Sequence, residues 1–130
     1  MTMSERVYPA PAASPETGAF WAAAAEGRLL VKRCRACGRF HWYPRAVCPH
    51  CMSGETEWVE AKGEGTIYSF SVMERAATPY AIAYVELAEG VRMMTNIVDC
   101  PFAEIRIGQR VRVRFVPTEG GGKLPVFAPS

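Results

Sequence analysis

Two Cys-x-x-Cys pairs constrain the fold of this chain more than any other feature. Cys34 and Cys37 form the first pair, Cys48 and Cys51 form the second, and ten residues separate them. Four thiolates presented by two short turns can surround a tetrahedral ion, and zinc accepts an all-sulfur shell without redox chemistry. The spacing therefore predicts a structural Zn2+ site, and its closed shell would leave no position for a substrate.

Three alternatives to a four-cysteine zinc site stay open at this point. A rubredoxin-like iron centre would use the same four thiolates, and His50, which lies inside the second pair, could replace one of them. A dithiol redox pair would account for one Cys-x-x-Cys unit, whereas one ion accounts for both. The fifth cysteine, Cys100, has no histidine near it in sequence and is expected to be inert rather than a nucleophile.

Composition and charge describe a globular chain with a basic part. The 130 residues are 49% hydrophobic and 22% charged, and the net charge is +2. Residues 26–51 carry six basic side chains against one acidic side chain, so an anionic partner is expected to meet this part. No run reaches the ~18 apolar residues of a membrane span, and no signal-peptide pattern is visible, so we expect a cytoplasmic protein without membrane contact.

Turn residues and changes in composition along the chain predict four parts. Residues 1–13 are predicted as a mobile arm, 14–27 as an N-terminal helix, 28–54 as a zinc ribbon and 55–130 as a barrel. Ser14 is the expected N-cap of the helix, followed by Pro15 in the first turn, and Gly27 is the expected stop.

Short strands separated by turns predict a mainly β fold. Leu29–Arg33 and His41–Tyr43 are the strands expected in the ribbon. The barrel strands are expected at Glu57–Lys62, Thr66–Glu74, Tyr80–Leu87, Val91–Asp99, Arg110–Val116 and Leu124–Phe127. One helical turn is expected between Cys100 and Gln109. Strands of this length with one helical interruption are typical of a small Greek-key barrel of the OB type.

The residues available for catalysis or for nucleic-acid binding are few. The histidines, His41 and His50, both lie inside the ribbon, and no nucleophilic triad or carboxylate pair stands out. An OB barrel invites a nucleic-acid hypothesis, but the expected binding strands offer only Tyr80, Tyr84 and Arg92 for stacking and charge. The alternating Arg110, Arg112 and Arg114 are the best evidence for nucleic acid, which we nevertheless do not expect as the partner.

The order of these motifs resembles a known family. The stretches "GAFWAAAAEGRLLVKRCRACGRFHWYPRAVCPHC", "EWVEAKGEGTIYSFSV", "PYAIAYVELAEGVRMMTNIVD", "IGQRVRVRF" and "LPVFAP" are similar to OB-fold proteins with an N-terminal rubredoxin-like zinc ribbon. That family was long described as a domain of unknown function and is associated with acyl-CoA metabolism. The likeness covers about residues 18–129.

The resemblance implies a fold, a metal and a class of partner. It implies a helix, a ribbon and an OB barrel in that order, with zinc at Cys34, Cys37, Cys48 and Cys51. It also implies a non-catalytic partner of thiolase-superfamily enzymes, or of hydratases or aldolases that act on coenzyme A (CoA) thioesters.

Candidate ligand and partner residues follow from that expectation. Arg33, Arg39 and Arg45 are the candidates for contact with the phosphates of CoA or acyl-CoA, and Trp42 or Tyr43 for stacking on the adenine. Phe20 and Trp21 are the candidates for contact with the partner enzyme. Besides a thioester-binding accessory subunit, a single-stranded nucleic-acid binder and a ligand-free assembly scaffold remain as hypotheses.

Overall fold

The N-terminal residues lie against the barrel where they are described. The structure is a computed structural model and describes residues 8–12 and 14–130. The mobile arm predicted for residues 1–13 thus falls largely outside the described residues. Among the described residues, Tyr8 is buried against Val98 and Val126, and the mobility of the arm stays a prediction. The Tyr8 carbonyl also accepts a hydrogen bond from the Glu119 N–H at 3.0 Å.

The N-terminal helix is shorter than predicted. Helix α1 spans Gly18–Ala25, after a turn at residues 15–17. The N-cap prediction at Ser14 is wrong, because the Ser14 N–H donates to Thr17 Oγ1 at 2.9 Å and the Ser14 carbonyl accepts the Thr17 and Gly18 N–H groups. These bonds form a turn that precedes the helix. The stop near Gly27 is confirmed, since this glycine adopts φ +80°, which other residues rarely adopt.

A small antiparallel sheet carries the cysteines. Its strands are β1 (Leu30–Cys34), β2 (Phe40–His41) and β3 (Thr56–Glu60), with β1 between the other two. The strand predicted at His41–Tyr43 therefore lies one residue earlier and ends at His41.

The sheet partner of β3 differs from the sequence prediction. The strand expected at Glu57–Lys62 was assigned to the barrel, but β3 pairs with β1 along its whole length, with Val59 opposite Val31. The sheet pairing thus groups β3 with the ribbon. The division into folding units at residues 54 and 55 stays a prediction.

Five strands close into a barrel. They are β4 (Glu64–Met73), β5 (Tyr80–Leu87), β6 (Arg92–Ile97), β7 (Arg110–Pro117) and β8 (Lys123–Pro129). The order around the barrel is β4-β5-β6-β8-β7, and β7 returns to β4. Only the β6–β8 contact is parallel among the described strands. The helical turn expected after β6 is confirmed at Phe102–Glu104, and the mainly β, OB-type fold is confirmed with it.

One hydrophobic cluster joins the helix, the ribbon and the barrel. Phe20 from α1 and Val31 from β1 belong to the same buried cluster as Ile67, Val85 and Phe127 of the barrel. Each such side chain contributes about 1.5–3 kcal/mol on full burial. The shared core therefore fixes the ribbon against the barrel, and this determines which surfaces meet beside the cysteines. None of the helices described is long and apolar enough to cross a membrane.

Candidate metal centre with an adjacent cleft and pocket

The four predicted ligands converge. The Sγ atoms of Cys34, Cys37, Cys48 and Cys51 all lie within 4.8 Å of one another. The Cys34–Cys51 and Cys37–Cys48 sulfur distances are 3.6 and 3.8 Å. A tetrahedral zinc ion with Zn–S bonds of ~2.3 Å separates its sulfurs by about 3.8 Å. The spacing of the four sulfurs therefore fits one zinc ion.

Backbone groups of the two turns prepare the thiols for metal binding. The Cys37 N–H points at Cys34 Sγ and the His50 N–H points at Cys48 Sγ, each at 3.4 Å. The Cys37 N–H lowers the pKa of the Cys34 thiol to about 7. The Ser53 N–H lowers the pKa of the Cys51 thiol, but the neighbouring Cys34 and burial outweigh it and raise that pKa to about 12. Zinc binds the thiolate forms, so metal binding releases the protons that the thiols hold.

His50 is not one of the clustered ligands. Its Nδ1 lies 3.4 Å from an Arg39 guanidinium nitrogen, and the group of metal-binding side chains found among the described residues consists of the four cysteines alone. A sulfur-only shell leaves no open position, so the chemistry of the site is structural.

An aromatic cluster lies beside the metal centre. The Phe20 ring is 4.8 Å from Trp21 and 5.0 Å from Trp42, and the Trp42 ring is 5.9 Å from Tyr43. The start of the helix is tied to the same loop, because Glu16 Oε2 accepts the Ala46 N–H at 2.9 Å. The residues predicted for the partner and those predicted for adenine therefore meet on one surface.

We call the space in front of this cluster the aromatic pocket. It has a volume of about 220 Å³ and lies where helix, ribbon and barrel meet. Its lining is mostly apolar and consists of Thr17, Phe20, Trp21, Trp42, Tyr43, Pro44, Met93, Met94, Leu124 and Pro125. Tyr43 and Met94 are each 57% exposed and form its rim.

A second, more polar space is also lined by Trp42. This basic cleft has a volume of about 300 Å³ between the second cysteine turn and the β5–β6 hairpin. It is lined by Phe40, His41, Trp42, Pro49, His50, Gly90, Val91 and Arg92. Arg39, which contacts His50, adds a positive charge beside it. Trp42 is thus a wall shared by an apolar and a polar site.

His41 is the buried polar group of the cleft. It is 3% exposed, and both ring nitrogens are buried. Burial lowers the pKa of the His41 imidazole below its ordinary value, against the raising effect of a hydrogen bond with the Arg45 backbone, so the ring is neutral at pH 7.

The structure separates the three candidate arginines. Arg39 contacts His50, and the Arg33 guanidinium lies over the Phe40 ring at 5.8 Å, so these two arginines reach residues that line the cleft. Arg45 is exposed next to Pro44 of the aromatic pocket. The roles of Arg33, Arg39 and Arg45 in phosphate binding stay predictions.

Sequence reasoning missed the barrel residues at these sites. Arg92 joins the cleft because the β5–β6 hairpin folds towards the second cysteine turn, and Met94, Leu124 and Pro125 complete the pocket. The turn of this hairpin comprises residues 88–91, between the end of β5 and the start of β6. No feature of the local sequence indicates that this turn contacts the ribbon.

The arginines that would bind nucleic acid under the alternative hypothesis mostly form ion pairs with carboxylates of the chain. Arg92 pairs with Glu86 at 3.3 Å and stacks on Tyr68, with its guanidinium carbon 3.9 Å from the ring centre. In the arginine stripe of β7, Arg112 pairs with Glu64 and Arg114 pairs with Asp99. Phosphate binding depends on cations that are free to replace counterions, so these pairs weaken the nucleic-acid hypothesis.

Cys100 lies outside both sites. It is partly buried, and its Sγ contacts the Pro101 carbonyl at 3.5 Å. The hydrogen bonds formed by the described residues do not join it to either histidine. None of the hydrogen bonds that Cys100 forms within residues 8–12 and 14–130 joins it to a base that would activate it as a nucleophile.

Fold and metal site together define a zinc ribbon followed by an OB barrel, and comparisons with known proteins agree. Residues 21–57 match the family described as ChsH2, rubredoxin-like zinc ribbon domain, and residues 58–116 match ChsH2, C-terminal OB-fold domain. Among solved structures, the chain is similar to one of an Ltp2-ChsH2(DUF35) aldolase, with a TM-score of 0.83 and 36% identity over 92% of this chain and 98% of that one.

Curated relatives fall into three named groups. A probable enoyl-CoA hydratase alpha subunit of Thermomonospora curvata is 36% identical over 94% of this chain, which spans only 40% of that relative's length. A DUF35 domain-containing scaffold protein of Methanocaldococcus jannaschii is 36% identical over 67% of each chain. The benzoylsuccinyl-CoA thiolase subunit BbsA of Geobacter metallireducens is 36% identical over 50% of this chain and 47% of its own.

This chain belongs to the DUF35 family of zinc-ribbon and OB-fold proteins, to which the ChsH2 domains also belong. The resemblance inferred from the sequence is therefore confirmed. The ribbon match and the four converging sulfurs identify the metal as structural zinc.

Proposed function

We propose that this chain is a non-catalytic accessory subunit that binds CoA or an acyl-CoA and holds a thiolase-like enzyme, or a related hydratase or aldolase, that acts on it. The names of its relatives support this class of role, since they include a CoA thiolase subunit, an enoyl-CoA hydratase subunit and scaffold proteins. The solved aldolase complex of similar fold supports a thiolase-like partner.

The observation that carries the proposal is the position of Trp42. One face of the chain presents a basic cleft and an apolar pocket that share this indole as a wall. CoA has a phosphorylated adenosine head and a long, mostly neutral arm. A charged site and an apolar site side by side suit the two ends of such a molecule.

The head of the ligand is assigned to the basic cleft. Arg39 has no carboxylate partner among the described residues, so its guanidinium is available to a phosphate. The adenine would stack on Trp42, which lines the cleft. Trp42 thus orients the base while Arg39 binds the charge.

The proposal of a non-catalytic role rests on the residues themselves. The zinc shell is closed, both His41 ring nitrogens are buried, and Cys100 has no activating base among its described contacts. Acid–base or nucleophilic catalysis needs such groups within hydrogen-bond reach of one another. Chemistry is therefore assigned to the partner enzyme.

A charge reversal at the cleft tests the ligand assignment. Arg39→Glu is expected to weaken CoA binding by about tenfold or more, because one charge-assisted hydrogen bond is worth about 1.5–3 kcal/mol. Isothermal titration calorimetry with CoA and with 3′-dephospho-CoA, at one fixed salt concentration, measures the effect.

Arg75→Glu is the matched control. Arg75 is exposed in the loop between β4 and β5, at the opposite end of β5 from the hairpin that lines the cleft. Equal affinities for the two variants would contradict the cleft as the CoA site. Salt-dependent binding of random single-stranded oligonucleotides, lost in Arg39→Glu, would favour the nucleic-acid hypothesis instead. Enzyme binding without any CoA binding would favour a ligand-free scaffold.

A further inference from the structure

The contact between β6 and β8 leaves part of the barrel wall open. Within the described residues the two strands pair only at Ile97 and Phe127. Towards its N-terminal end β8 carries Pro125, which has no N–H to donate to a neighbouring strand. Thr95 Oγ1 donates to the Pro125 carbonyl at 3.3 Å and closes the floor of the opening. The result is a shallow groove between the two strands.

The edge of β6 that faces this groove has backbone groups available at Met94. The Leu87 N–H donates to the Val91 carbonyl at 2.8 Å, so these two residues form a hydrogen-bonded pair. Along an antiparallel pair of strands, hydrogen-bonded and non-hydrogen-bonded residue pairs alternate. Met93 and Thr95 therefore exchange hydrogen bonds with their β5 partners, Val85 and Ala83. The N–H and carbonyl of Met94 point away from β5, to the side where the ladder with β8 has not yet begun.

The groove is continuous with the aromatic pocket. A second space of about 190 Å³ lies along β6 and β8, and it shares Met94, Leu124 and Pro125 with the pocket. Neither volume reaches the ~300–1,000 Å³ of usual small-molecule sites, but each has room for a large apolar side chain. An apolar anchor on an extended backbone fits this shape better than an enclosed ligand does.

The charges at the rim indicate what flanks the anchor. Arg45 and Lys123 are exposed and lie next in sequence to Pro44 and Leu124 of the pocket. Neither forms an ion pair with another residue that the structure describes. The nearby Glu16 is already bonded to the Ala46 N–H. An incoming segment with carboxylates on both sides of its anchor would complement the two free cations.

We propose that the β6–β8 groove and the aromatic pocket form one docking site for an extended, acidic-flanked segment of a partner protein. The segment hydrogen-bonds to the backbone of Met94 and places one large apolar side chain among Trp21, Tyr43 and Met94. This is strand-edge recognition, in which main-chain bonds give affinity and the pocket gives specificity. The inference deepens the proposed role as an accessory subunit and rests on it.

A synthetic peptide tests the site on the intact, zinc-loaded chain. The probe is a fluorescein-labelled nine-residue peptide, Asp-Glu-Val-Thr-Phe-Thr-Val-Glu-Asp, followed by fluorescence anisotropy. A second peptide with an N-methyl group on the central phenylalanine removes one main-chain donor and is expected to bind more weakly. Binding of the two peptides with equal affinity would contradict the strand-edge mode.

Two exposed apolar residues provide a matched pair of variants. Met94→Glu is expected to weaken peptide binding by about tenfold or more, because it removes apolar contact and repels the acidic flanks. Ile107→Glu makes a similar change at a position that is 69% exposed and lies outside the pocket, and it is expected to leave the affinity within about twofold. Thermal unfolding of both variants checks that each is folded.

Several outcomes would overturn the proposal. One is the absence of peptide binding to the wild-type chain, and another is equal peptide binding by the two variants. A third is self-association of the chain that Met94→Glu abolishes, because this result would assign the groove to a second copy of the chain. Met94 also lines the pocket that the proposed function offers to the arm of CoA, so a cleft variant separates the two proposals. Arg39→Glu changes a residue that lines neither the groove nor the pocket. Intact peptide binding by Arg39→Glu with weakened CoA binding supports this site, and peptide binding by a wild-type chain that binds no CoA rejects only the thioester role.

Discussion

Replacing Cys34 by serine is expected to reduce bound zinc from one ion per chain to a small fraction of that and to unfold the ribbon. The sulfur is fully buried and lies 3.6 Å from Cys51, so a serine would leave a buried hydroxyl in place of a ligand. Zinc binding is worth on the order of 10 kcal/mol or more in small zinc modules, so most of the ribbon's stability is lost with it. Metal analysis together with thermal unfolding measures both effects.

Cys100→Ser is the control, because it removes the cysteine that lies outside the cluster. It is expected to keep the full zinc content and nearly the same unfolding temperature. His50→Ala is likewise expected to keep zinc, since the cluster needs no histidine. Retention of zinc in Cys34→Ser, or a coloured iron centre in the wild-type protein, would contradict the assignment.

Gly65→Ala is expected to lower the free energy of unfolding by about 1–3 kcal/mol. A Cβ atom at this position would lie 2.4 Å from the Glu86 carbonyl oxygen, a backbone atom that cannot rotate away. Gly65 also pairs with both Leu87 and Val111, so it lies where β4 joins the strands on either side and closes the barrel. The unfolding temperature should fall by roughly 5–15 °C.

Gly54→Ala provides the comparison for Gly65. A Cβ atom at Gly54 would meet nothing within 4 Å, and its φ lies outside the positive region that disfavours side chains. This substitution is expected to change the free energy of unfolding by no more than about 0.5 kcal/mol. Equal unfolding temperatures for the two variants would mean that β4 and β5 can move apart at Gly65 without loss of stability. That result would contradict the close contact between Gly65 and the Glu86 carbonyl.

The features that depend on local sequence could be predicted. The four cysteines lie within 18 residues, and each pair forms one turn, so their spacing alone indicates one metal ion. The barrel strands could be placed because period-two alternation and turn residues repeat along the chain. The start of α1 could not be predicted, because Ser14 forms hydrogen bonds with Thr17 instead of capping the first turn of the helix.

Features that depend on long-range contacts could not be predicted. The pattern of residues 57–62 fits a strand of either sheet, and only the tertiary pairing with β1 decides between them. The sequence predicts Trp21 as a contact of the partner enzyme and Trp42 as a contact of the adenine, yet both rings contact Phe20 and line one pocket. Met94 and Pro125 come from strands that meet only when the barrel closes.

The shared indole of Trp42 has a thermodynamic consequence. Trp42 lines both the cleft and the pocket, and its ring lies 5.0 Å from Phe20 of the common core. Under the proposed function, an occupant of one site that moves this ring changes the affinity of the other site, and such linkage is reciprocal. A partner enzyme that tightened thioester binding by some factor would then itself be held more tightly, by that same factor, when the thioester is bound.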